Sequence, residues 1–189
     1  MGRPASWPGL ILLTDARRLP DPLPALRRLP QGSAVILRHY EWPYVRRLAL
    51  ARAMADLCRQ RGLILLVAGD ARLARAVGAA GVHLPQGLLP LATGLRRQFG
   101  MVTAAAHDAG AVALAARAGA DAVLVSPVFA TPSHPGAKGL GAVRFAALAR
   151  HARRKGLRVY ALGGVNAATA RRLKAIAMAG IAGISDIVP

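Results

Sequence analysis

The chain has 189 residues, 54% of them hydrophobic and only 4% aromatic, with a formal net charge of +18. The length fits one domain, 1–189. No apolar run is long enough for a membrane span, the lone Cys58 excludes an intrachain disulfide, and Pro4, Pro8 and Asp15 interrupt any signal-peptide pattern, so no membrane association and a cytoplasmic location are expected. The arginines are scattered rather than gathered in one run and have no aromatic stacking platform beside them, which favours a solvated basic exterior around a phosphate site over a nucleic-acid surface.

Leu10–Asp15, LILLTD, reads as a short strand ending in a polar pair. Asp21–Leu29 carries Pro22 and Pro24 where a helix start tolerates them. Ala34–Tyr40 is a second strand. Pro43 opens a long helix to Arg61 with Tyr44, Leu48, Ala51, Ala55 and Cys58 on one face and Arg46, Asp56 and Gln60 opposite, and Gly62 stops it. Leu63–Ala68 is a third strand, Asp70–Ala79 a short helix and Gly81–Pro85 a fourth strand. Leu88–Phe99 is expected to be helical, and Met101–His107 to be strand five. Asp108 caps a helix to Ala118.

Ala122–Val125 is a continuous apolar run bounded by turn residues, a strand buried on both faces. The long polar loop after it lies where an α/β protein places its chemistry. Ala142–Lys155 is a helix stopped by Gly156, and Arg158–Leu162 a seventh strand followed by Gly163-Gly164. Asn166 caps a helix expected to reach Ala179, with Ala170, Leu173, Ile176 and Ala177 inward. Ile181–Ile187 is an eighth strand. Gly78–Val82, Gly119–Val123 and Gly180–Ile184 repeat one helix-to-strand joint, as a series of βα units does. Eight strands with seven helices, and none after strand eight, give a slightly truncated (β/α)8 TIM barrel. A doubly wound open sheet is the alternative, disfavoured by the absence of GxGxxG after the first strand.

A barrel acts at the carboxyl ends of its strands. Gly163-Gly164 before a helix start can admit an anion, because glycine allows close approach and the helix offers free N–H groups; a plain tight turn reads equally well. The turn Gly183-Ile184-Ser185 strengthens the anion reading, since loops after strands seven and eight build phosphate sites in this fold. Thr131, Ser133 and His134 offer two hydroxyls and an imidazole suited to a diphosphate, or a turn that bonds its own backbone. Lys138 is a cation that could close over a phosphate, or an ordinary surface lysine. Arg38 lies in an otherwise apolar strand and is costly there unless paired, which points to a site role. His107 is a base, a donor or a structural histidine; His83, inside strand four, reads as structural; His151 reads as solvated. No metal-ligand cluster is legible. Asp15, Asp70 and Asp108 are the acidic residues near strand ends, and none forms a close pair in sequence.

GVHLPQ at 81–86, AHD at 106–108, VSPVFATPSHPGAKGLG at 125–141 and ALGGV at 161–165 together resemble the thiamine phosphate synthase and TenI family in order and spacing. The resemblance implies a barrel that joins hydroxymethylpyrimidine diphosphate to thiazole phosphate with Mg2+-assisted loss of pyrophosphate. It matches Thr131 and Ser133 to the two hydroxyl residues of the family's threonine loop, and Gly163, Gly164, Ile184 and Ser185 to the backbone cradle of the thiazole phosphate. Arg38, His107, Ser133 and His134 are the catalytic candidates, with small phosphates as partners and a homo-oligomer possible. The family's glutamine and lysine around Arg38 are Ile36 and Tyr40 here, its lysine after the threonine loop is His134, and its acidic positions fall on Ala68-Gly69 and Gly87-Leu88. Asp70, one residue displaced, is the nearest substitute. Loss of those carboxylates keeps open a metal-free TenI-like thiazole tautomerase or a non-catalytic thiazole phosphate binder. The histidine a tautomerase would use falls on Pro127.

Overall fold

The computed structural model describes residues 6–92, 94–130, 139–184 and 187. Among them, eight parallel strands close into a barrel in sequence order: β1 (Leu10–Leu13), β2 (Ala34–Leu37), β3 (Ile64–Ala68), β4 (Gly81–Leu84), β5 (Met101–Ala106), β6 (Ala122–Val125), β7 (Arg158–Leu162) and β8 (Gly180–Gly183). β8 pairs with β1, with Leu12 opposite Gly183, so the sheet has no edge and the open alternative is excluded. Helices α1 (Leu23–Arg28), α2 (Tyr44–Arg61), α3 (Ala71–Ala76), α4 (Leu95–Gln98), α5 (Ala109–Arg117), α6 (Gly141–Arg154) and α7 (Ala167–Ala170) lie between strands. This is the expected (β/α)8 barrel. No helix among the described residues is long and apolar enough to cross a membrane.

The strands carry apolar residues at successive positions because both faces are buried. Leu12, Val35, Val67 and Val123 point outward into the layer shared with the helices. Ile11, Leu13, Ile36, Leu66, Met101 and Leu124 point inward and fill the barrel; this alternation is the period of two of a strand. Tyr160 is fully buried on the inner face, and its hydroxyl donates to the Pro8 carbonyl at 2.9 Å. That bond ties the segment before β1 to the amino end of the barrel.

Two ends read from the sequence form: Asp108 accepts from Ala111 N at 2.7 Å, and Gly62 closes α2 in a left-handed conformation. Asp70, expected as the first residue of its helix, is instead the cap of α3 and accepts from Leu73 N at 2.8 Å. Strand eight, expected over Ile181–Ile187, spans Gly180–Gly183, and three further elements differ from expectation. The expected helix Leu88–Phe99 is a 3-10 stretch over Gln86–Ala92 and then the short α4. Pro90 has no N–H to donate, and Gly94 sits at φ 90, so one continuous helix cannot pass through. The expected helix from Asn166 stops at Ala170 and tightens into a 3-10 turn over Arg171–Leu173. Its apolar residues Ala170, Leu173 and Ile176 are three apart, the 3-10 period, and Ala177 is exposed rather than inward. On α2 the buried stripe is Arg47, Ala51, Met54, Ala55 and Cys58, while Tyr44 is exposed.

Candidate functional site

A cavity of about 890 Å³ opens at the carboxyl ends of the strands. Its floor is made by inward residues of the last barrel layer, among them Leu13, His83, Ala105, Leu162 and Ala182. Its wall comes from the turns that follow the strands.

Arg38 follows β2 and reaches the turn after β1. Its Nη2 donates to Asp15 Oδ2 at 2.7 Å, so the cation is paired, as a partly buried arginine requires. Its Nε is buried and meets no acceptor among the described residues. Burial pushes the Asp15 carboxyl upward, but the N–H groups of Arg18 and Arg17 and the charges of Arg38 and Arg18 hold it below 3.8. Arg17, Arg18, Arg38, Asp15 and Glu41 all line the cavity.

The backbone that presents Arg38 is fixed by His39. His39 is buried at φ 34, the one non-glycine among the described residues in the left-handed region. Its Nε2 lies 3.2 Å from the Pro20 carbonyl, which can only accept, so Nε2 carries the proton. Nδ1 therefore accepts from the Thr14 hydroxyl at 2.8 Å, and Thr14 Oγ1 accepts from Arg38 N at 3.0 Å. This relay joins the ends of β1 and β2. Sequence reading passed over it, because Thr14 and His39 are 25 residues apart and only the strand register brings them together.

His107 stands at the end of β5. Its Nδ1 lies 2.6 Å from the Ser126 carbonyl and so carries the proton, which leaves Nε2 with a lone pair. Both residues line the cavity. His83, read as structural, is 4% exposed and lies on the cavity floor, with Nδ1 2.9 Å from Thr103 Oγ1. His151 is half-buried rather than solvated.

Gly163 and Gly164 line the cavity at φ 87 and 65, with Val165 and Ile184 nearby. Two details bear on the two readings of this turn. Asn166 Oδ1 accepts from the N–H groups of Ala168 and Thr169 at 3.0 Å each, so these helix-start donors are already satisfied. A Cβ on Gly164 would lie 2.5 Å from the Ala130 carbonyl oxygen and 2.8 Å from Phe129 Cβ. Glycine is therefore required there by the neighbouring chain, whatever a ligand needs. Among the described residues, the N–H groups of Gly164 and Val165 meet no protein acceptor.

Among the described residues the carboxylates that line the cavity are Asp15 and Glu41. No group of three or more His, Cys, Asp or Glu could hold a metal ion among the described residues. Asp15 is engaged by Arg38 and two backbone N–H groups. Asp70, the nearest substitute in sequence, caps α3 and lies 3.7 Å from Arg47, and it is not among the cavity residues. Arg47 was missed by the sequence reading. It comes from the first turn of α2, is 8% exposed, and donates to the Ala68 carbonyl at 2.5 Å and the Leu37 carbonyl at 3.5 Å. It thus clamps the carboxyl ends of β2 and β3. Thr131, Ser133, His134, Lys138 and Ser185 lie outside the described residues.

A closed parallel barrel with a polar cavity at the carboxyl ends of its strands is the arrangement of a (β/α)8-barrel enzyme. The family model for thiamine monophosphate synthase matches residues 11–187, and the chain belongs to that family. The thiamine-phosphate synthase of Acidithiobacillus ferrooxidans is 34% identical over 190 residues, covering 95% of this chain and 86% of the relative. A bifunctional ThiM/ThiE protein of thiamine biosynthesis from Symbiobacterium thermophilum is 35% identical over 186 residues, and the chain spans 37% of its length. Among solved structures, a thiamine phosphate pyrophosphorylase from Pyrococcus furiosus superposes with a TM-score of 0.76 at 23% identity, over 93% of this chain and 85% of that one. That likeness shows the fold.

Proposed function

We propose that the chain is a thiamine-phosphate synthase that joins hydroxymethylpyrimidine diphosphate to thiazole phosphate in the cytoplasm. The bond between the pyrimidine methylene and the diphosphate oxygen breaks, and the electron pair leaves with pyrophosphate. The thiazole nitrogen then forms the new carbon–nitrogen bond. The observation that carries the reading is one cavity shared by Arg38, His107 and the Gly163-Gly164 turn, in a chain matched to the family over residues 11–187.

In this reading Arg38, with Thr131, Ser133 and His134, holds the diphosphate, where a charge-assisted bond offsets the leaving group's charge. The thiazole phosphate sits against Gly163, Gly164, Ile184 and Ser185. The N–H groups of Gly164 and Val165, which meet no protein acceptor among the described residues, support that cradle. His107 accepts a hydrogen bond from the substrate through Nε2. A steady-state assay with both substrates, run with EDTA and again with added Mg2+, tests the proposal; folded protein that makes no thiamine phosphate in either sinks it.

A second reading, a thiazole tautomerase or a non-catalytic thiazole phosphate binder, draws on one observation: the carboxylates of Asp15 and Asp70 are both occupied by arginine and backbone partners. Calorimetric titration with thiazole phosphate separates the two. Binding without synthesis selects the second reading, and absence of binding removes both.

A further inference from the structure

Charge is distributed unevenly along the barrel axis. Asp15, Asp21, Glu41, Asp70 and Asp108 each lie between a strand and the helix that follows it, at the carboxyl ends of the strands. The helices finish at the other end, and there the last turns of α5 and α6 carry Arg117, Arg153 and Arg154, with Lys155 next in the chain. α5 packs against α6, so these cations are neighbours. All four are exposed, and none meets a carboxylate among the described residues. Of the acids near this end, Asp56 pairs with Arg59, and Asp121 is buried with Arg96 3.1 Å away. No Asp or Glu stands between Asp121 and Asp186. Arg158, the exposed first residue of β7, lays its guanidinium 4.3 Å over the Trp7 ring. The helix dipole favours a cation in a last turn. It does not account for Arg158, which stands on a strand, or for the lack of acidic partners. Arginines that are scattered in sequence are thus gathered on one face, beside an aromatic ring.

We propose that this amino-end face, around the last turns of α5 and α6, docks single-stranded nucleic acid, at the opposite end of the barrel from the cavity. Guanidinium forks match phosphate oxygens, and a cation-lined surface tracks a phosphate backbone. The Arg158 plane, backed by Trp7, offers an unpaired base a flat surface to stack on. An anionic membrane fits the face less well. The exposed large apolar side chains Tyr40, Tyr44, Val45 and Val143 lie at the other end, before or within the first turns of α2 and α6, whereas a membrane-surface contact pairs its cations with an apolar face.

Fluorescence anisotropy with a labelled oligothymidylate, using the full chain at a series of salt concentrations, tests this. Wild-type protein should bind at physiological ionic strength, and more weakly as salt rises, because each neutralised phosphate releases counterions. A variant combining Arg117→Gln, Arg153→Gln and Arg154→Gln should bind roughly tenfold or more weakly and lose about 0.7 from the salt slope for each contact removed. A variant combining Arg46→Gln, Arg72→Gln and Arg144→Gln removes the same charge at the carboxyl end and should bind like wild type. Arg158→Gln alone serves if the first variant does not fold. It should weaken oligothymidylate more than inorganic polyphosphate, which has no base to stack. The proposal is overturned by absence of binding in wild-type protein at physiological ionic strength, or by equal losses in the two triple variants. Equal losses of both ligands in Arg158→Gln, or binding to phosphatidylserine vesicles in place of the oligonucleotide, overturn it as well.

Discussion

Arg38 and Asp15 face each other at 2.7 Å across the barrel mouth, one just past β2 and the other just past β1. Two backbone N–H groups also hold the Asp15 carboxylate, so the carboxylate is the fixed partner and aims the guanidinium. Arg38→Met should lower kcat/KM for thiamine phosphate synthesis by roughly ten- to a hundredfold, the range for a hydrogen bond to a charged group. Asp15→Asn should cost less, because the cation remains. Steady-state kinetics on both variants would show it, and equal losses would contradict the aiming role.

Arg47 predicts a stability effect at a distance from the chemistry. Truncating it to methionine leaves the Ala68 and Leu37 carbonyls and the Asp70 carboxylate without their common donor. The unfolding free energy should fall by about 2 kcal/mol. Arg47→Lys should recover little, because one ammonium cannot reproduce a planar fork that serves two strand ends. Urea unfolding of the two variants is the measurement.

The Gly163-Gly164 turn should not accept even one methyl group. Gly164→Ala places a Cβ 2.5 Å from the Ala130 carbonyl oxygen at φ 65. A left-handed non-glycine residue alone costs about 1 kcal/mol or more, and the contact requires backbone movement besides. Gly164→Ala should therefore lower the melting temperature and weaken thiazole phosphate binding together. Calorimetry and thermal unfolding on one sample would check the pairing of the two effects.

Acid should weaken the fold in two separate windows. Burial holds the imidazoles of His39 and His83 below 6.5, so the folded protein keeps them neutral while the unfolded chain protonates near that value. The unfolded state then binds more protons, and stability falls as the pH drops below about 6.5. Asp15 has a lowered folded value; its contribution is complete above the unfolded value of about 3.9 and is lost only as the pH falls through the folded one. Between pH 7 and 5, His39→Asn should flatten the decline in unfolding free energy, since asparagine tolerates positive φ. Asp15→Asn should leave the slope in that window unchanged.

Much of the fold was legible because each strand is a short apolar run closed by turn residues, and because Asp108 and Asn166 announce helix starts. The 3-10 stretches were not read, although Pro90 with Gly94, and the three-residue spacing of Ala170, Leu173 and Ile176, were visible signals. Arg47 stayed hidden because a charged residue near a helix start reads as solvated; its spacing from Ala51, Met54 and Cys58 was the available clue. Arg38 could be picked out as a charge in an apolar strand, but its partner could not, since Asp15 comes near only when Leu13 pairs with Ile36. His83 was read as packing because a sequence does not say which face of a buried strand looks into a cavity.

The bonds around Pro127–Phe129 have a consequence for rebuilding this enzyme. Val128 N and Phe129 N donate to the Leu162 and Gly163 carbonyls, and Leu140 N and Gly141 N return to the Pro127 and Val128 carbonyls. The chain leaving β6 and the chain entering α6 are thus stitched to one short stem, itself stitched to β7. Phe129 and Leu140 are therefore held to a common base, and a longer connection between two such fixed ends adds closure entropy only slowly. The barrel should therefore tolerate changes of length between those two ends, provided the Gly163-Gly164 turn beneath the stem, which has no room for a Cβ, is left as it is.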